Sequence, residues 1–156
     1  MEVMRTEGTS AGSEGAASPT GPAPDPARLQ RLNAVLRAIR NVNQLITKED
    51  DRDRLIQGAC ANLTETLSYH NAWIALLDAQ GSTVDSTAHS GFSQGFSVMQ
   101  SYLGSGERPP CMREALACDT VTSILDPPAH CQGCPLAPLY HGRAGLARRL
   151  EFQGRV

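Results

Sequence analysis

Leu29, Leu32, Leu36, Ile39, Asn43 and Ile46 recur at alternating spacings of three and four within DPARLQRLNAVLRAIRNVNQLI. Only a helix gathers such positions onto one face, so the spacing predicts a long N-terminal helix over residues 28–48. Asp25 is the expected N-cap, and Pro26 suits the first helical position because its missing N–H would be unsatisfied there anyway. Val35, Val42 and Leu45 widen the apolar stripe on one side. Such a seam packs either against the chain's own domain or against the same helix of a second subunit. Asn43 is a polar residue at a seam position, the kind that sets register in a coiled coil. A homodimer through residues 28–48 is therefore expected, with internal packing as the alternative.

The 156 residues have room for one domain of ordinary size. Residues 1–27 are rich in Gly, Ser, Ala, Thr and Pro, with no apolar surface to offset the entropy of ordering, and are expected to be a disordered leader. Nothing in MEVMRTEGTSAGSEG resembles the apolar stretch of a secretory signal, and no run of 18 apolar residues predicts a membrane span. Acids and bases are interspersed, with a formal net charge of −2. No basic stripe advertises nucleic acid. The expected location is cytoplasmic, where thiols stay reduced. In that setting five cysteines favour metal, redox sensing or burial over a disulfide framework.

Further along, KEDDRDRLIQGACANLTETLSYH predicts a second helix with an acidic first turn. Its buried stripe is Leu55, Ile56, Ala59, Cys60, Leu63 and Leu67, with Cys60 an inert core thiol. Residues 72–77 are continuously apolar, as in a strand covered on both faces. Asp78 to Gly81 predicts a hairpin turn, and Thr83 to His89 alternates as the returning strand, with His89 at its end and on the surface. FSQGFSVMQSYLGSG and RPPCMREALACD predict two short helices, TVTSILD a strand, residues 127–144 a long irregular stretch, and GLARRLEFQGRV a strand and turn. The order argues for α+β with one antiparallel sheet and flanking helices. Among the arginines clustered late, Arg143, Arg148 and Arg149, strand alternation puts the last two on opposite faces.

Three phrases carry a resemblance: LTETLSYHNAWIALLDAQG, PPCMREALACDTVTSILD and YHGRAGLARRLEFQGRV. Residues 50–156 resemble a GAF domain of a bacterial signal-transduction protein, of a cysteine-bearing subgroup marked by PPC and CQGCPL. The helix over 28–49 resembles the signalling helix of sensor kinases. The resemblance implies a sensory module that binds a small-molecule ligand or responds to redox state, acts through a downstream kinase or other effector domain, and is not an enzyme. It also implies, as alternatives, a thiol-dependent enzyme reducing free methionine sulfoxide, or a pure dimerisation module. In the family the turn at QGRV leads into two further strands and a closing helix, the first of these strands lying mid-sheet. The stop at Val156 implies a domain incomplete at its C-terminus, with unpaired strand edges.

The resemblance brings Cys111 and the pair Cys131 and Cys134 to the border of one pocket. Zinc requires four N or S ligands, so Cys118, His130 or His141 would complete a site begun by those three. An iron–sulfur cluster would use the same thiolates. Placement at a helix N-terminus lowers a thiol pKa, which makes Cys111 the candidate reactive thiolate. A c-type haem tether needs histidine directly after the second cysteine, where Pro135 stands. Metal, thiol switch and plain structural thiols all remain open on the sequence. No phosphate loop, nucleophile elbow or H-E-x-x-H pattern is present.

Overall fold

The computed structural model describes residues 25–93 and 95–151. The fold is α+β, with a long N-terminal helix and small antiparallel sheets. Helix α1 (Pro26–Lys48) opens as its sequence dictates: the Asp25 side chain accepts from the Ala27 N–H at 3.0 Å and Pro26 follows. It therefore begins within the segment expected to be leader, the rest of which lies outside the described residues. Helix α2 (Arg52–Leu67) is capped by Asp51, which accepts from the Arg54 N–H at 2.8 Å, and Asp53 supplies the acidic first turn. Strands β1 (Ala72–Leu77) and β2 (Val84–Ser90) form an antiparallel hairpin with Trp73 opposite His89. Arg108 donates to the Gly81 and Ser82 carbonyls at 2.7 and 2.8 Å, fastening the hairpin turn to the segment before the fourth helix. Helices α3 (Phe96–Gly104) and α4 (Pro110–Leu116) follow, then β3 (Thr122–Ile124), a one-turn α5 (Pro127–His130), a 3-10 turn at Ala137–Tyr140 and β4 (Gly145–Ala147).

Three expectations need correction. The sheet is not continuous: β1 pairs with β2, β3 pairs with β4, and each pair stands as its own two-stranded sheet. Residues 127–144 are not wholly irregular, because Asp126 caps α5 by accepting from the Ala129 N–H and prolines open both short helical turns. Strand β4 ends at Ala147, so alternation does not govern Arg148 and Arg149. Arg149 instead donates to the Leu116 carbonyl at 2.8 Å and pairs with Asp119 and Glu151. The QGRV turn lies outside the described residues.

The hairpin separates two apolar clusters. On one face Ala72, Ile74 and Leu76 pack with Ala88 against Ile56 and Cys60 of α2. On the other, Trp73 and Val84 pack against the larger cluster of Phe96, Met99, Leu103, Ile124, Cys131, Cys134, Leu136 and Ala137. Met99 is 0 % and Leu136 2 % exposed. Each such side chain contributes roughly 1.5–3 kcal/mol by leaving water. His89, expected on the surface, is half-buried and lies on Phe96 with ring centroids 4.1 Å apart, while Phe92 sits 5.1 Å from the same ring. The correction follows from the pairing of His89 with Trp73, which puts both on the aromatic face.

Helix α1 lies against α2 through small and polar groups. Ala38 is buried, and the buried Asn62 donates from Nδ2 to its carbonyl at 2.9 Å. Asn62 Oδ1 accepts from Asn41 Nδ2 at 3.0 Å and from Thr66 Oγ1 at 2.8 Å, which completes a small polar hook. Leu45 rests on Gly58, where an added Cβ would come within 2.6 Å of Leu45 Cδ2. The predicted seam points elsewhere: Leu32 is 51 %, Leu36 63 % and Ile39 52 % exposed, and Leu29, Val35 and Ile46 are exposed with them. Among the described residues, then, nothing in the chain covers the seam. No helix among the described residues is long and apolar enough to cross a membrane.

Asn62→Ala removes the donor to the Ala38 carbonyl and the acceptor shared by Asn41 and Thr66, so the interhelical hydrogen bonds of a buried side chain are lost. The expected cost is about 1–3 kcal/mol, read from urea unfolding midpoints. A shift below ~0.5 kcal/mol, the usual range for surface substitutions, would show that the hook does not hold α1.

Candidate functional site

Cys111 is the second residue of α4, and Cys131 and Cys134 flank a tight turn after α5. The turn closes with the Cys134 N–H donating to the Cys131 carbonyl at 3.0 Å. Gly133 stands at φ +81°, a left-handed conformation that glycine adopts without strain. The next turn places Leu136 and Ala137 in the core, drawing both loop thiols inward. Cys111 packs against the same cluster from α4, near enough to Cys131 and Cys134 to feel their charge. The three cysteines that the sequence singled out therefore border one apolar cluster.

The environment of the trio opposes ionisation. Burial pushes the Cys111 thiol up to about 12, and the neighbouring Cys131 and Cys134 sulfurs add to the effect against a small opposing contribution from the Met112 N–H. Burial also raises Cys134, partly offset by the nearby backbone N–H groups of Leu136 and Ala137. The shift runs opposite to the lowering expected of a thiol at a helix N-terminus. Desolvation in an apolar core outweighs whatever a seven-residue helix offers at its first turn. Tyr140 borders the same site. Its hydroxyl donates to Asn71 Oδ1 at 2.9 Å, and burial pushes its pKa to about 12. Tyr140 was missed in the sequence, where nothing distinguished it from the loop around it.

The other candidate ligands stand apart. His130 adjoins Cys131 in sequence, yet its Nε2 lies 2.8 Å from Glu114 Oε1 at an exposed position. His141 and Arg143 are exposed. Cys118 lies beyond the far end of α4. Its sulfur is 3.0 Å from Thr120 Oγ1 and accepts from the Thr120 N–H at 3.4 Å, and these contacts lower its pKa. Among the described residues no three His, Cys, Asp or Glu side chains form a ready-made metal-ligand set. Of the candidates for a fourth ligand, Cys118 and His130 have other partners and His141 is exposed. Cys60 is a core thiol as expected, fully buried and raised by that burial to about 11.

No family model matches this chain, and no curated protein matches it.

Two outcomes follow from these environments. At neutral pH iodoacetamide should alkylate Cys118 first in the native protein, with Cys60, Cys111, Cys131 and Cys134 reacting only as the chain opens. Peptide mass spectrometry reads that order, and early labelling of Cys111 would contradict the buried site. Stability should also depend on pH in the alkaline range. The folded pKa of Cys111 lies above the ordinary thiol value of about 8.5, so its contribution is full below that value. It is lost as pH rises toward 12, because the unfolded chain gives up the proton first. Urea unfolding at pH 8 and pH 10.5 should show the loss, and Cys111→Ala should show a shallower one.

Proposed function

We propose that the chain is a non-catalytic sensory module of the GAF type. Its thiol centre of Cys111, Cys131 and Cys134 receives a small ligand or a redox signal, and α1 carries the response to a second copy and to a downstream kinase or other effector. The observation that carries this reading is the placement of three cysteines from two separate elements on one apolar cluster. A continuous line of packing supports the relay. The core meets β1 and β2 through Trp73 and Val84, the hairpin rests on α2, and α2 holds α1 through Asn62. The exposed seam supports the second copy as partner. Enzymatic reduction of methionine sulfoxide by these thiols fits less well. The attacking species in such chemistry is a thiolate, and the surroundings of Cys111 and Cys134 disfavour one.

Sedimentation of the full chain should show a dimer, and Leu36→Glu with Ile39→Glu should give a folded monomer by circular dichroism. Arg28, Arg31, Arg37, Arg40 and Lys48 make α1 uniformly basic, so like charges meet in the dimer and added salt should strengthen it. A wild-type monomer at high concentration would sink the relay. Turnover of free methionine sulfoxide in the presence of a thiol reductant would replace the sensory reading with the enzymatic one.

A further inference from the structure

Helix α1 reaches beyond the element it rests on. Its contacts with α2 run from Ala38 through Asn41 to Leu45, and every residue from Asp25 to Asn33 is exposed. Charge on the helix is of one sign: Arg28, Arg31, Arg37, Arg40 and Lys48, with no acid between Pro26 and Lys48. Among the described residues none of these five is in an ion pair, whereas Arg52, Arg54 and Arg149 elsewhere in the fold are. At 3.6 residues per turn, Arg28 and Arg40 border the band of Leu29, Leu32, Leu36 and Ile39, one on each side. Ala38, Asn41 and Leu45 lie across the helix from that band, so α2 leaves it open. The acids that follow, Glu49, Asp50 and Asp51, collect past the other end of the helix. A second copy would meet this helix with the same positive charges. A surface that is both anionic and apolar in depth meets it with complementary chemistry. Such a helix lies in the interface of an acidic bilayer, its apolar side among the acyl chains and its arginine stems stretched toward the headgroups.

We propose that α1 docks the chain on an anionic lipid surface. Residues 28–40 lie flat in the interface, with Leu29, Leu32, Leu36 and Ile39 inserted and Arg28 and Arg40 on the headgroups to either side. Their exposure in the fold is what makes them available: Leu32 is 51 %, Leu36 63 % and Ile39 52 % exposed. At 1.5 Å per residue the footprint is roughly 20 Å long. The helix lies on the surface and does not cross it, in keeping with its five cations. The proposal goes beyond the sensory reading and does not depend on the thiol centre. It gives the seam an occupant that competes with the second copy, since a helix face sunk in lipid is closed to pairing.

The test mixes the full chain with vesicles of phosphatidylcholine, alone or with phosphatidylglycerol added, and reads the fraction that sediments with the lipid. Binding should require the anionic lipid and should weaken as salt is added, the reverse of the salt response of the dimer. Leu32→Glu should abolish it while circular dichroism shows the helices intact. Arg28→Gln with Arg40→Gln changes two exposed side chains and keeps the seam. It should weaken vesicle binding roughly 10–30-fold, at about fivefold for each basic side chain near such a surface, without weakening self-association. Equal binding to phosphatidylcholine alone, indifference to salt, or full binding by Leu32→Glu overturns the proposal. A dimer that salt strengthens and that ignores anionic vesicles also overturns it and leaves the seam to the second copy. A chain that sediments with anionic vesicles yet stays monomeric in solution supports the proposal and counts against a relay through paired helices.

Discussion

Burial of the loop from Cys131 to Ala137 is the constraint on which the rest of the domain depends. Neither short sheet could seal a core alone, since a two-stranded ribbon is marginal in water. The loop supplies the missing wall with Leu136, Ala137 and two cysteines. A connecting segment can sit inside only if its backbone groups find partners. This one satisfies them with its own turns: Cys131 N–H to the Pro127 carbonyl at 2.8 Å, Ala137 to Cys134 at 3.1 Å and Leu139 to Leu136 at 2.9 Å. The dry setting of the thiols, and hence their reluctance to ionise, follows from that economy of hydrogen bonds.

Helix α1 inverts the usual arrangement of a surface helix, which turns its large apolar residues inward. Its contact with α2 is made by alanine, a glycine-seated leucine and an asparagine hook, whereas its leucine-rich seam faces out. A helix built this way belongs to two surfaces at once. The polar hook fixes its rotation on α2, and that rotation decides which residues any partner meets.

Elements with strong local signals were legible in the sequence. Asp25–Pro26 and Asp51 mark helix starts through side-chain chemistry, and the continuous apolar run at 72–77 marks β1, which local composition alone requires. The features that were not legible depend on distant contacts. Asn62 looks like any polar helical residue until the Ala38 carbonyl arrives 24 positions away. The division into two sheets depends on which strands find each other, and the upward shift of Cys111 depends on neighbours 20 or more residues along the chain. The placement of the three cysteines on one cluster was anticipated by resemblance. The departures of Cys118 and His130 were not, because Thr120 and Glu114 are ordinary residues whose role lies only in their position.

The hairpin of β1 and β2 has α2 on one side and the aromatic cluster on the other. Its cross-strand amides are therefore freed only when the strands part from each other and from the clusters that flank them. Hydrogen exchange would find the paired amides of this ribbon among the slower-opening units of the chain, while α1, held on α2 by Ala38, Leu45 and the Asn62 hook and bare along its seam, would exchange at a lower opening free energy. The protein thus carries a stiff partition at its centre and a loosely moored arm at its start.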